Sequence, residues 1–190
     1  MIDKRPVIFL DRDGVICEER GYVTSLSELR LFPYARESVT RIHALGYAVI
    51  VITNQSAIAR GLVDEATMNN IHHHIVQETG VDRVYCCPHL PPKLGEPQVP
   101  PYRVMCSCRK PRAGLIEQAV RDHGFDLKGA YLVGDRASDI ETGQAAGIQT
   151  VLLQSGYGLD RLEKPVRPDL IFDTLLDFVK YLEEGNPNAI

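Results

Sequence analysis

Apolar residues recur along this chain with two different periods. Five short runs, VIFL (7–10), AVIVIT (48–53), RVYCC (83–87), AYLV (130–133) and TVLL (150–153), are short and largely apolar, as strands buried on both faces tend to be. Between them the spacing turns helical. Ala35, Val39, Ile42 and Leu45 share one face, and Met68, Ile71, Ile75 and Thr79 share another in a helix that Asp64 can cap. Leu115, Ala119, Val120 and His123 trace a third helix stopped by Gly124, a fourth is predicted over 137–146 with Gly147 as its stop, and TLLDFVKYLEE (174–184) gives a fifth.

Strands alternating with helices predict an α/β fold: a doubly wound, Rossmann-like parallel sheet that delivers the carboxyl ends of its strands to one edge. The length suits one domain, set at 1–185, with room for one small insertion. That insertion is expected at about 86–110, because residues 88–101 carry six of the chain's 12 prolines and no strand or helix period. A loop of this kind has to be held by something other than a backbone ladder. The final GNPNAI is expected to fray.

Composition changes this picture little. Hydrophobic residues make up 44% and charged residues 24%, and the formal charge of −4 offers no obvious face for nucleic acid. The N-terminus meets charged residues after only four consecutive apolar ones, too few for a signal peptide or a membrane span, so a cytoplasmic monomer without a membrane or nucleic-acid partner is expected. Five cysteines form an odd set in such a chain and favour metal binding over disulfides.

The chemistry gathers at the predicted strand ends. Asp11 and Asp13 follow the first strand, Thr53 and Asn54 the second, and Asp135 the run YLVG. Two carboxylates two residues apart point to the same side of an extended chain, and their charge calls for a cation. Mg²⁺ suits oxygen ligands and leaves positions for water and a substrate phosphate, with Asp11, Asp13 and Asp135 as ligands and Asp139 one turn on to steady them. Taken singly, DRD reads equally well as a solvated turn, and GDRASD as a helix N-terminus with favourable dipole charges.

Taken in order, the motifs FLDRDG, VITN, RKP with Lys110, and VGDRASD resemble the four signatures of the haloacid dehalogenase superfamily, and the resemblance spans most of the chain. It implies a Mg²⁺-dependent phosphatase. Asp11 is then the nucleophile that forms an aspartyl-phosphate, and Asp13 the general acid and base. Thr53 binds a phosphoryl oxygen, and Lys110 offsets charge on the transferring group. Roughly forty residues separate Asp13 from Thr53, which leaves no room for a large cap. Substrate choice then falls to short loops at 17–24 and 86–110.

Cys-x-His at 87–89 and Cys-x-Cys at 106–108 bracket the proline-rich loop. Cys87, His89, Cys106 and Cys108 suit a closed, tetrahedral, structural Zn²⁺ site, with Cys86 the competitor for the first position. The alternative is that these cysteines are small buried residues. Such a zinc would also fix Arg109 and Lys110, which follow Cys108 directly. The three consecutive histidines at 72–74 point in directions roughly 100° apart on a helix and are read as helix surface. Cys17 lies close enough to the acidic edge to be open to oxidation.

Within the superfamily, the zinc loop resembles those of the D,D-heptose 1,7-bisphosphate 7-phosphatases and the histidinol-phosphate phosphatases. GYV (21–23), TNQSAIARG (53–61) and the long loop from His89 to Cys106 are similar to the heptose enzymes, while CPHLP and GDRASD lean toward the histidinol group. The heptose resemblance implies a sugar bisphosphate as substrate, contacted by Glu19, Arg20, Gly21 and Tyr22 and by Asn54, Gln55 and Ser56, with Arg109 and Arg136 meeting its polar groups and one of them the second phosphate. Removal of the C7 phosphate is then a step toward a bacterial surface polysaccharide. Two further readings remain: a zinc-organised binding module with an inactive site, and a polynucleotide end phosphatase, which requires a basic groove.

Overall fold

The structure, a computed structural model, describes residues 5–93, 99–159, 162 and 164–185. The chain runs β1 (Pro6–Leu10), α1 (Ala35–Ala44), β2 (Ala48–Asn54), α2 (Glu65–Thr79), β3 (Arg83–Cys87), α3 (Gly114–His123), β4 (Asp126–Gly134), α4 (Ala137–Ala146), β5 (Gln149–Leu153), β6 (Leu170–Phe172) and α5 (Leu175–Glu183). The six strands form one sheet in the order β3-β2-β1-β4-β5-β6, every pair parallel. The order reverses between β1 and β4, and the crevice beyond that junction is where such sheets bind ligands.

β1, β2 and β5 are buried on both faces along nearly their whole length, which accounts for their unbroken apolar runs. Ile8 and Leu10 of β1 pack with α1, α2 and α5, whereas Val7 and Phe9 pack on the opposite side with α3. All four are fully buried, and each such side chain contributes about 1.5–3 kcal/mol. Helix boundaries follow the expected signals. Asp64 caps α2 by accepting from the Thr67 N–H at 2.7 Å, and Gly80, Gly124 and Gly147 end their helices in the left-handed conformation.

Two expectations are corrected. β6 was not predicted: its three residues, only partly buried, lie between Asp169 and Asp173 and give no readable period. The histidine triplet is not uniformly surface, since His72 is buried while His73 is exposed. Its position beside Ile71 places it on the inner side of α2, where burial foremost, and then the Arg12 charge, depress its pKa to about 3. The unfolded chain therefore takes up this proton first, and stability is lost as pH falls from about 6.5 toward 3. Thermal melts across that range should show a shallower fall for His72→Gln than for the wild type; an identical fall contradicts the assignment.

Between Asp13 and Thr53 run a loop, α1 and β2, with no additional helix or strand of the sheet. Among the described residues, no helix is long and apolar enough to cross a membrane. Residues 94–98 of the proline-rich loop, and the residues from 186 onward that were expected to fray, lie outside the described residues.

Candidate active site

The reversal point brings Asp11, at the end of β1, beside Asp135, at the end of β4. The Asp11 N–H donates to the Val133 carbonyl at 2.9 Å, so the ladder itself fixes the spacing. One carboxylate oxygen from each of Asp11, Asp135 and Asp139 lies within 4.8 Å of the others, and all three residues are buried. Gly14, at φ +78°, makes the approach possible, because a Cβ there would collide with the Asp135 carboxylate.

Lys110 enters this cluster from the loop before α3. Its backbone N–H donates to Asn54 Oδ1 at 3.0 Å and its carbonyl accepts from Asn54 Nδ2 at 3.1 Å, which docks the turn on the end of β2. The ammonium then donates to the Ile52 carbonyl at 3.0 Å and lies 2.9 Å from Asp11 Oδ1 and 2.6 Å from Asp139 Oδ1. Asp11 Oδ1 also accepts from the Arg12 N–H at 2.6 Å, so Oδ2 is the oxygen left for an incoming phosphorus.

One lysine does not neutralise three buried carboxylates. Burial above all, opposed by Lys110 and reinforced by Asp139 and Asp13, pushes Asp11 up to about 7. Burial, then Asp11 and Asp139, push Asp135 up to about 8, even though the Tyr157 N–H donates to its Oδ2 at 2.7 Å. Asp135 Oδ1 is buried without a hydrogen-bond partner. An orphaned oxygen in an over-negative oxygen cluster is what a hard divalent cation satisfies, and the donor set fits Mg²⁺.

This yields a prediction with a definite sign. Raised carboxyl pKa values mean that the folded, metal-free protein holds more protons than the unfolded chain between about pH 4 and pH 8, so its stability falls as pH rises through that window. Mg²⁺ should therefore raise Tm more at about pH 8 than at about pH 5.5. A larger rise at the lower pH would contradict the cluster.

Asp13 is placed differently from its neighbours. Its carboxylate is not part of the clustered oxygens; it accepts from the Arg12 guanidinium at 2.9–3.1 Å and from Gln55 Nε2 at 2.9 Å. Burial pushes this carboxyl up, but the Arg12 charge and these hydrogen bonds outweigh it and hold it below the ordinary value. Cys17 donates to Asp13 Oδ1 at 3.4 Å and is fully buried; burial first, and then Asp13, push its thiol pKa upward. A buried, protonated thiol is a poor target for oxidants, contrary to the sequence expectation.

A cleft of about 540 Å³ opens over the cluster. Asp11, Asp13, Thr53 and Lys110 line it, as do Glu19, Gly21, Tyr22, Asn54, Gln55, Ser56, Arg109 and Arg136. Arg20 does not; it is exposed and pairs with Glu18 at 3.1 Å. Arg136 is held by Glu19 at 3.0 Å and stacks 3.8 Å over the Tyr157 ring. The sequence reading missed Tyr157, the buried Arg12 fork, and Arg60, which lies 5.6 Å over the Tyr22 ring at the mouth of the cleft. Glycines 156 and 158 around Tyr157, just past β5, were the signal available for a loop in close approach.

Below the cleft wall, Cys87, His89, Cys106 and Cys108 converge. Sulfur–sulfur distances are 3.1 Å for Cys87–Cys108 and 3.6 Å for Cys87–Cys106, and His89 Nδ1 lies 3.2 Å from Cys108 Sγ. Three thiols and one imidazole within this span fit a tetrahedral metal. Cys86 is outside the cluster, as strand alternation requires. The Arg109 guanidinium donates to the His89 carbonyl at 3.0 Å, tying a cleft cation directly to the cluster.

Fold, acidic junction and inserted lysine define the class as a haloacid dehalogenase-type hydrolase, and residues 107–178 match the family model described as HAD-hydrolase-like. The chain is 37% identical to the D-glycero-β-D-manno-heptose-1,7-bisphosphate 7-phosphatase of Pseudomonas aeruginosa, over 90% of this chain and 94% of that one. It is 35% identical to the α-anomer enzyme of Photorhabdus laumondii, over 95% and 98%. The crystal structure of D,D-heptose 1,7-bisphosphate phosphatase from B. bronchiseptica, complexed with magnesium and phosphate, matches with a TM-score of 0.77 at 32% identity, covering 94% of this chain and 98% of that one. The chain belongs to the D-glycero-D-manno-heptose 1,7-bisphosphate 7-phosphatase family.

Proposed function

We propose that the protein hydrolyses the C7 phosphate of D-glycero-D-manno-heptose 1,7-bisphosphate and releases heptose 1-phosphate. The observation that carries this reading is the pairing of two features in one cleft: a nucleophile with its charge-offsetting lysine, and two guanidiniums in the lining, Arg109 and Arg136, whose multiple donors suit a second phosphate. Similarity to the heptose enzymes over most of the chain supports the sugar.

Asp11 Oδ2 attacks phosphorus in line, forming the aspartyl-phosphate and breaking the ester bond to C7. Asp13, protonated at the outset, donates its proton to the departing alkoxide and then takes one from the water that cleaves the acyl phosphate, releasing inorganic phosphate and restoring the Asp11 carboxylate and the Asp13 acid. The Thr53 hydroxyl donates to a phosphoryl oxygen while Lys110 neutralises Asp11 and the transferring group. Bound by Asp11 and Asp135 with Asp139 in support, Mg²⁺ supplies further positive charge where the phosphoryl oxygens gather. Zn²⁺ at Cys87, His89, Cys106 and Cys108 is structural and holds the loop that carries Arg109 and Lys110. Glu19, Gly21, Tyr22, Asn54 and Ser56 line the part of the cleft left for the sugar.

The domain is read as one unit of residues 1–185 with a minimal cap and the zinc-loop insertion at about 86–110, acting as a cytoplasmic monomer. The test is kcat/KM on both anomers of heptose 1,7-bisphosphate and on histidinol phosphate, side by side in one Mg²⁺ buffer. A preference of about a hundredfold or more for a heptose anomer is expected. A preference for histidinol phosphate would overturn the substrate, and absence of Mg²⁺-dependent turnover on all three would favour an inactive zinc-organised module.

A further inference from the structure

Asp13 is held by groups to which the reaction above gives no part. The Arg12 guanidinium, wholly buried, donates from Nε to both carboxylate oxygens at 3.1 and 3.0 Å and from Nη2 to Oδ1 at 2.9 Å. From the other side, Gln55 Nε2 donates to Asp13 Oδ2 at 2.9 Å and to Thr53 Oγ1 at 2.8 Å. While Asp13 is ionised the amide orientation is fixed by chemistry, because a carboxylate accepts only and the nitrogen must face it. Its second proton goes to Thr53, which makes the Thr53 oxygen an acceptor there and keeps the hydroxyl proton for a phosphoryl oxygen. With both amide protons engaged, Gln55 acts here as a donor to the catalytic pair, and only its Oε1 is left as an acceptor toward the cleft.

We propose that Gln55 and Arg12 are positioning residues for the chemistry at the leaving group. Arg12 anchors the Asp13 carboxyl from the interior; Gln55 sets it in register with the Thr53 hydroxyl, so that one phosphate meets the proton donor and the hydroxyl together. Displacements of about 1 Å at such a group cost rates on the order of a hundredfold. The inference rests on Asp13 acting as proton donor to the leaving group.

The test uses two sugar-free substrates, phenyl phosphate and 4-nitrophenyl phosphate, with the Mg²⁺-loaded enzyme. The ratio kcat/KM reports only the steps up to leaving-group departure, and nitrophenolate leaves without a proton whereas phenolate leaves poorly without one. Gln55→Met should lose about ten- to a hundredfold on phenyl phosphate and less than about threefold on 4-nitrophenyl phosphate. Arg12→Lys, which keeps the charge but not the fork, should show the same selectivity if its thermal melt shows it folded. Equal losses of Gln55→Met on both aryl phosphates, or intact aryl phosphate rates with a raised KM for heptose bisphosphate alone, would overturn the inference. Asp13→Asn is the control: if it shows no leaving-group dependence, the reading of Asp13 fails and the inference falls with it, whereas dependence in Asp13→Asn but not in Gln55→Met overturns the positioning role alone.

Discussion

Asp11→Asn is expected to lower kcat on heptose 1,7-bisphosphate by at least about 10⁴-fold, since the amide cannot form the covalent intermediate and the remaining groups act as a unit around it. The fold should not suffer. Lys110 keeps Asp139 at 2.6 Å and the Ile52 carbonyl at 3.0 Å, and one of three crowded buried carboxylates is removed. In metal-free protein the variant should melt at the same temperature as the wild type or higher, the usual relation between a strained site and stability. Rate assays and melts on the same preparation check both halves. Substantial residual turnover would show that Asp11 is not the nucleophile, and a collapse of the fold would contradict the expected stability.

The second large effect belongs to the cysteine cluster. Cys108→Ser removes a thiolate that lies 3.1 Å from Cys87 and 3.2 Å from His89, immediately before Arg109 and Lys110. Loss of the proposed zinc should lower Tm by about 10 °C or more, because the described residues of the loop form no strand or helix. It should also lower kcat/KM by about 10- to 100-fold, since Arg109 leans on the His89 carbonyl and Lys110 is delivered by the same turn. Elemental analysis, melts and kinetics together test this. Protein purified without added zinc that holds none and works normally would remove the structural role.

The sheet was legible because burial on both faces writes itself as short apolar runs. β1, β2, β3 and β5 appear within one residue of their predicted bounds, and the predicted glycine stops of α3 and α4 are where left-handed turns fall. β4 extends from the predicted 130–133 back to Asp126, with an irregularity in its pairing to β1, because pairing to a neighbour sustains residues with no strand period of their own. β6 was illegible for its brevity.

At the site, residue types at strand ends pointed to Asp11 and Asp135, since charge at the end of a buried strand has few structural uses, while Lys110 was reached through the RKP motif ahead of a predicted helix. What sequence could not supply was which polar group faces which. Arg12 and Asp13 are adjacent in the chain, and only the fold turns their neighbourhood into a buried ion pair that draws Asp13 away from the clustered oxygens. His72 differs from His73 only by one helical step, and Gln55 from Ser56 by one turn of backbone, yet in each pair one member is enclosed and the other is not. Tyr157 reaches Asp135 and Arg136 across 22 and 21 residues of sequence, a separation that no local pattern encodes.

The central claim is which phosphate leaves. Phosphorus NMR of heptose 1,7-bisphosphate incubated with the protein and Mg²⁺ follows both phosphates at once. The account predicts loss of the C7 ester signal, appearance of inorganic phosphate and persistence of the C1 phosphate. Release of the C1 phosphate, or no release from either position while Mg²⁺ is bound, would contradict it.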